Sequence, residues 1–392
     1  MKNTNVSVAF LLILGLIVVN VSWAAQTSDV EYTTPAPMKR STSQREESLQ
    51  EVWNRLSSSA SSSLLKICLT LDMFSRLKSY KTGYNGTLAD CIRPGSMILE
   101  SECGIYASDP DAYDTFSELF YPIIRAYHKI QEVEQPKPDF GVPRILTFGD
   151  LDPEGLFIKS VRISARRSYA NYGFPPTTTN KDRIKMERMT VEALNTLEGE
   201  LAGTYTPLFG MSKQTYKTIA EVFAVKLDDP EKRIAKVYRD WPRGRGVFFS
   251  HDKKFLVLLN EEDHLLIVSM QNGGNLAAVW QRLVKGLTLL EKKVTFVHHP
   301  KLGFLTFSPT NIGTSLNISV RIRIPNLSKN VTNFNELCER LNLHQEGIAG
   351  EVFDISNKKR MGLTEREILE QMRVGVMFIK KMEAELHNVG KL

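Results

Sequence analysis

Cysteine is scarce, with four residues in a chain of 392, at positions 68, 91, 103 and 338. Their scatter excludes a disulfide scaffold, and it excludes structural zinc, which needs close pairs of the C-x2-C kind. Cys91 and Cys103 are the pair that an oxidising compartment would bridge, and inherited free thiols are the other reading. Long runs of one charge are also missing: 50 basic residues are interleaved with 44 acidic ones for a net charge of +6. That pattern is a solvated surface and excludes a nucleic-acid arm or a polybasic membrane patch. No apolar run reaches the about 20 residues that cross a bilayer, so the chain is expected not to be membrane-anchored. The composition, 42% hydrophobic and 24% charged, excludes a fibrous or disordered chain, and the length suits a small and a larger domain.

What is present begins at the N-terminus. Lys2 precedes an apolar run from Val8 to Val19, followed by Ser22-Trp23-Ala24, with small residues where a signal peptidase cuts. Residues 1–24 therefore read as a secretory signal and the chain as secreted. Secretion gives meaning to the four N-glycosylation sequons that follow the expected signal, at Asn85, Asn317, Asn326 and Asn330. Residues 25–62, rich in Ser, Thr, Gln and Pro, read as a leader with a helical portion from Glu46 to Leu56. Over 63–140 the pattern is helical, with Phe116, Leu119, Phe120, Ile123 and Ile124 stacked on one apolar face. Gln135-Pro-Lys-Pro and Gly141-Val-Pro break that periodicity, and 141–155 reads as a linker.

From 156 to 388 strand-like runs (Phe255 to Leu259, Leu265 to Met270, Leu302 to Phe307, Ile318 to Ile324) alternate with helical ones (Leu276 to Leu290, Asn333 to Leu341, Thr364 to Leu386). The fold class is α+β. The first two runs are joined by Asn260-Glu-Glu-Asp-His264, an antiparallel hairpin with three carboxylates at its tip. Adjacent like charges repel, so the tip is either a solvated acidic turn or a device for holding a cation.

Asn260-Glu-Glu-Asp-His-Leu with Ile267-Val-Ser-Met-Gln271 resembles the signature hairpin of the phosphagen kinases, the ATP:guanidino phosphotransferases of arginine kinase type. The resemblance continues through Trp241-Pro-Arg-Gly-Arg-Gly246, Leu197-Glu-Gly-Glu-Leu201, Gly210-Met-Ser-Lys213, Gly303 to Thr314 and Asp354-Ile-Ser-Asn to Glu365. Thr87-Leu-Ala-Asp-Cys-Ile92, Gly104-Ile-Tyr106 and Leu151-Asp-Pro153 extend it over nearly everything from Leu64 to Leu386. It implies a small all-α N-terminal domain on a larger C-terminal domain with an antiparallel sheet flanked by helices. The implied reaction is in-line transfer of the γ-phosphoryl group of MgATP to a guanidino compound such as arginine, in a monomer or homodimer, through alignment and charge stabilisation.

Residue by residue, the resemblance makes Glu262 the carboxylate that grips the guanidinium and takes its proton. Glu351 matches a second carboxylate on a closing loop, here cut short between Gly350 and Phe353. The segment Ser101 to Tyr106 matches the loop that binds the amino acid's carboxylate and amine, with Ser101, Gly104 and Tyr106 retained. It departs at Glu102, which would repel that carboxylate if it faced the pocket.

On the nucleotide side, Ser160 and Arg162 match. The other four of the family's five phosphate-binding arginines fall on Ser164, Leu266, Asn317 and Glu346, and the adenine-flanking histidines on Val222 and Arg321. The family's reactive cysteine falls on Ser308. Forked, permanently charged arginines offset the charge that shifts in phosphoryl transfer, so the resemblance implies a nucleotide site depleted of its chemistry. Arg166, Arg321 and Arg323 are the residues that would rebuild an anion site. The sequence-level expectation is a secreted, catalytically impaired arginine-kinase-like protein with an unidentified extracellular partner. The alternative is an active arginine kinase with a rebuilt nucleotide site.

Overall fold

The computed structural model describes residues 47–141, 148–223, 225 and 228–389. The expected signal, residues 1–24, and most of the expected leader lie outside the described residues. The remainder of the leader is a helix, α1 (Leu49–Ser58), which starts because Ser48 and Glu51 cap one another reciprocally. Its Val52 and Leu56 are buried and Trp53 stacks on Phe74 at 4.6 Å. The helical domain therefore begins upstream of the expected boundary at 63. The amphipathic α1 supplies apolar surface to a core that the later helices do not close alone.

The small domain continues through α2 (Leu64–Cys68), α3 (Leu71–Leu77), α4 (Leu88–Met97), α5 (Ala112–Thr115) and α6 (Ser117–His128). The apolar stripe on α6 behaves as its spacing requires, with Leu119, Phe120, Ile123 and Ile124 fully buried. This core also takes in Phe174, Val237, Leu305, Phe307 and Met361 of the larger domain, so the two domains share one apolar seam. The stretch after Gln135 is tied to the larger domain: Gln135 Nε2 donates to the Leu363 carbonyl at 2.7 Å and Gln135 Oε1 accepts from Gly362 N at 2.9 Å.

The larger domain is built on ten strands: β1 (Ile158–Arg167), β2 (Gly203–Pro207), β3 (Gly246–Ser250), β4 (Phe255–Leu259), β5 (Leu265–Asn272), β6 (His298–His299), β7 (Gly303–Phe304), β8 (Leu316–Arg323), β9 (Leu343–Ala349) and β10 (Val352–Asn357). Eight of them form one antiparallel sheet in the order β2-β3-β4-β5-β1-β8-β10-β9, and β6 and β7 pair separately. Where a strand-like run was expected from Leu302 to Phe307, only Gly303 and Phe304 are strand.

The helices are α7 (Asn180–Leu194), α8 (Lys213–Phe223), α9 (Pro230–Ile234), α10 (Leu276–Glu291), α11 (Val331–Arg340) and α12 (Glu365–Val389). Residues of α7, α10 and α12 join Val161, Ile163, Ala165, Ile318, Val320 and Ile355 in the main core on one sheet face. The opposite face is split. Over β3, β4 and β5 it is sealed by α8, through Val222, Phe223, Leu256, Leu266 and Val268. Over β1, β8 and β10 it carries Ser160, Arg162, Ser164, Arg166, Asn317, Ser319, Arg321 and Asp354, the alternate residues to those in the main core. That polar face and the interdomain seam position the site.

Candidate active site

The hairpin tip 260–264 joins β4 to β5 and is buried, Glu261, Glu262 and Asp263 being 3%, 7% and 2% exposed. A solvated acidic turn is thereby excluded. Two motifs hold the tip from beneath. Arg245, of the Trp241 to Gly246 motif, donates to the carbonyls of Asn260 at 2.8 Å, Val237 at 2.7 Å, Arg239 at 3.1 Å and Arg243 at 3.2 Å. His264 accepts from Tyr169 N on Nδ1 and donates from Nε2 to the Gly173 carbonyl, both at 2.9 Å.

Three buried carboxylates need cations, and the chain supplies two. Lys232, on α9, places Nζ 3.1 Å from Glu261 Oε1 and 2.9 Å from Glu262 Oε2. Arg166, on β1, places Nη1 3.1 Å from Asp263 Oδ2 and 3.5 Å from Glu262 Oε2. Burial alone would raise the Glu262 carboxyl, but Lys232 and Arg166 outweigh it and hold Glu262 at about 2. For Lys232 burial is likewise overcome, and Glu262 and Glu261 hold its ammonium above the usual lysine range. Asp263 is pushed up to about 6 by burial and by Glu262, against the pull of Arg166. Glu261 is also raised, chiefly by burial, and its Oε2 is buried without a partner.

The loop of Ser101, Gly104 and Tyr106 comes to the same seam. Tyr106 stacks on Phe307 at 4.5 Å, and Phe307 N donates to Asp263 Oδ1 at 2.7 Å, which links loop and hairpin. Gly104 is buried with φ +77, and an added Cβ would lie 3.0 Å from Leu65, so glycine is required there. Glu102 is exposed, and its feared repulsion in the pocket does not arise. A different carboxylate stands there instead: Glu231 of α9 accepts from Ser101 Oγ at 2.5 Å and from the Tyr106 hydroxyl.

Glu351 is not part of this constellation. It precedes Val352, which pairs with Arg323 at the sheet end where Ile158 pairs with Ile322. The hairpin meets the other end, where Arg166 pairs with Leu266, eight residues further along β1, or about 26 Å of strand. Glu351 Oε2 there accepts from Arg323 Nη2 at 2.8 Å and Nε at 3.0 Å. The physical reason is the short loop: β9 and β10 close in a tight turn that leaves no length to return to the hairpin.

The positions assigned to phosphate binding, Leu266 apart, share the polar sheet face. Ser164 pairs with Asn317, Arg162 with Ser319, and Ser160 with Arg321, which pairs with Asp354, which pairs with Glu346. Leu266 is buried beneath α8 with Val222. Arg162 donates to the carbonyl of Phe223, its Nε is buried without a partner, and burial lowers it to about 10. The compensating arginines are spent elsewhere: Arg321 grips Asp354 through two bonds at 2.8 and 2.9 Å, Arg323 grips Glu351, and Arg166 the hairpin. Arg360 lends its guanidinium to Asn317 Oδ1 at 3.3 Å.

Comparison with known proteins agrees with this geometry. The model of the ATP:guanido phosphotransferase C-terminal catalytic domain matches residues 185–386 and that of the N-terminal domain residues 59–125. The chain belongs to the ATP:guanido phosphotransferase family. It is 49% identical to an arginine kinase of Liolophura japonica over 86% of this chain and 98% of that protein. It is likewise 49% identical to arginine kinase Oct f 2 of Amphioctopus fangsiao, over 82% and 94%. Among solved structures, the substrate-free duplicated taurocyamine kinase of Schistosoma mansoni superposes with a TM-score of 0.82 at 37% identity. The match covers 87% of this chain and 49% of that one, so the chain spans about half of that duplicated enzyme. A lombricine kinase superposes at 0.78 with 32% identity, over 84% and 93%.

Within this phosphotransferase fold, sequence reasoning missed Glu231 and Lys232. The available signal was the charged Pro230-Glu-Lys-Arg233 run, which no local pattern separates from a solvated helix surface. Among the described residues the four cysteines are free, and no group of His, Cys, Asp and Glu is arranged to hold a metal ion. No described helix is long and apolar enough to cross a membrane.

Proposed function

We propose that this chain is a secreted arginine-kinase-like protein that carries out little or no phosphoryl transfer and serves outside the cell as a binding scaffold. The observation that carries the reading is the polar sheet face. Of the family's phosphate-binding positions, Ser164, Asn317 and Leu266 offer no charge, Glu346 offers the wrong one, and Arg162 is turned to a backbone carbonyl. Of the other cations at that face, Arg321, Arg323 and Arg166 are neutralised by Asp354, Glu351 and the hairpin, and Arg360 donates to Asn317 Oδ1. These residues do not fit a triphosphate with its magnesium. Losing one preorganised donor costs about 3 kcal/mol of transition-state stabilisation, a hundred- to a thousandfold in rate. The second reading, a working arginine kinase, draws on the buried Glu262 and the unpartnered Arg162 Nε. A coupled assay of ADP release on the chain lacking residues 1–24, with arginine and MgATP, separates the two. No turnover above the protein-free rate is expected, and steady arginine-dependent turnover contradicts the proposal.

Secretion is supported by the apolar run from Val8 to Val19, and the sequons give it a readout. Asn85 and Asn330 are exposed. Asn317 sits within β8 against Arg360, and the Asn326 amide donates to Glu383 Oε1 at 2.8 Å. Expressed with its signal in secreting eukaryotic cells, the chain is expected in the medium with glycans on Asn85 and Asn330 and none on Asn317 or Asn326. Peptide mass mapping after enzymatic deglycosylation checks it. Retention of an unglycosylated chain inside the cells contradicts it.

A further inference from the structure

Two consecutive side chains of α9 enter the site from opposite charge types. Glu231 takes the Ser101 hydroxyl at 2.5 Å and the Tyr106 hydroxyl, while Lys232 lies 2.9 Å from Glu262 and 3.1 Å from Glu261. The first pair of partners is where the family resemblance places an amino acid's own polar end, and the second is where it places the guanidinium. A basic amino acid carries the same two groups, a carboxylate and a distant cation. The helix is anchored behind these contacts: Asp229 caps it, with Oδ1 accepting from Glu231 N at 2.9 Å, and Lys236 pairs with Asp90 of α4 at 3.0 Å. Arg166 approaches Glu262 from the β1 side, so the hairpin carboxylates are cation-bound from two directions.

We infer that α9 is a tethered pseudo-substrate, whose Glu231 and Lys232 occupy the guanidino amino-acid subsite and close it to free ligand. This rests on the reading of Ser101, Tyr106 and Glu262 as that subsite. A ligand on the same chain competes at an effective concentration on the order of millimolar, enough to exclude a weakly held free amino acid. Removing Lys232 alone leaves Glu231 on Ser101, and removing Glu231 alone leaves Lys232 in place, so only the double change frees both ends of α9's contacts, with Arg166 remaining on the β1 side of Glu262.

The test is calorimetric titration of L-arginine into the wild-type chain, Glu231→Ala/Lys232→Ala and Lys232→Arg. Folding of each is verified by its thermal midpoint, and the same samples are titrated with MgADP. The double variant is expected to bind arginine at least tenfold tighter than the wild type. Lys232→Arg, which keeps a cation on Glu262, is expected to stay closed. Equal affinity in wild type and double variant, or arginine binding by Lys232→Arg as tight as by the double variant, overturns the inference. If the double variant does not fold, Glu231→Ser/Lys232→Thr, which also shortens both side chains, is read by the same criteria. The proposal of impaired phosphoryl transfer is judged separately, by ADP release and MgADP binding, and stands or falls whatever arginine does.

Discussion

Replacing Arg166 with methionine is expected to destabilise the fold by about 3–5 kcal/mol, because it strips one of two cations from a buried three-carboxylate tip. The hydrophobic stem is kept by methionine, so the loss reports the charge. Asp263 loses the only cation within 4.0 Å of it among the described residues, and its tie to Phe307 N holds the loop against which Tyr106 stacks. Urea unfolding at pH 7, monitored at the tryptophans, measures the difference. A loss below about 1 kcal/mol, the range of an exposed ion pair, would mean that water screens the tip and that the cations are incidental.

The second large effect is on pH. His264 and His128 are buried and uncharged, and burial lowers both to about 4. His128 sits in the interdomain seam, with its Nε2 2.9 Å from the Pro309 carbonyl. Because their folded pKa values lie below the unfolded value of about 6.5, protonation favours the unfolded chain. Their stabilising contribution is complete above pH 6.5 and is lost as pH falls from there to about 4, at about 3 kcal/mol for each. Asp263, raised to about 6 chiefly by burial, has the opposite sign and returns part of that loss over the same window. Denaturant midpoints taken stepwise from pH 7 to pH 4 are expected to fall, with the slope reduced by about one proton in His128→Gln. A flat or rising profile contradicts the neutral buried histidines.

Much of this was legible in the sequence. The stripes on α6 and α10 followed from apolar periodicity, since one buried face imposes its period, and the β4–β5 hairpin followed from two continuous apolar runs buried on both sheet faces. The strand β1 escaped because its polar face carries Ser160, Arg162, Ser164 and Arg166, and its alternation is masked by a bulge between Ile158 and Ser160. The strand β9 escaped for a related reason: most of it is exposed, so nothing forces an apolar alternation on it. Which residues share the site was legible only through resemblance, because hairpin, α9 and the loop before Tyr106 are distant in sequence. The pairing of Lys232 with Glu262 and the displacement of Glu351 to the far sheet end depend on register and loop length, which no local pattern encodes.

The proposed depletion of the nucleotide site is tested most directly by titrating MgADP into the purified chain lacking residues 1–24, by calorimetry at low millimolar nucleotide. No saturable heat is expected from the wild type, since the cations of the polar sheet face are committed to protein oxygens. Micromolar, saturable MgADP binding by the wild type would contradict that expectation.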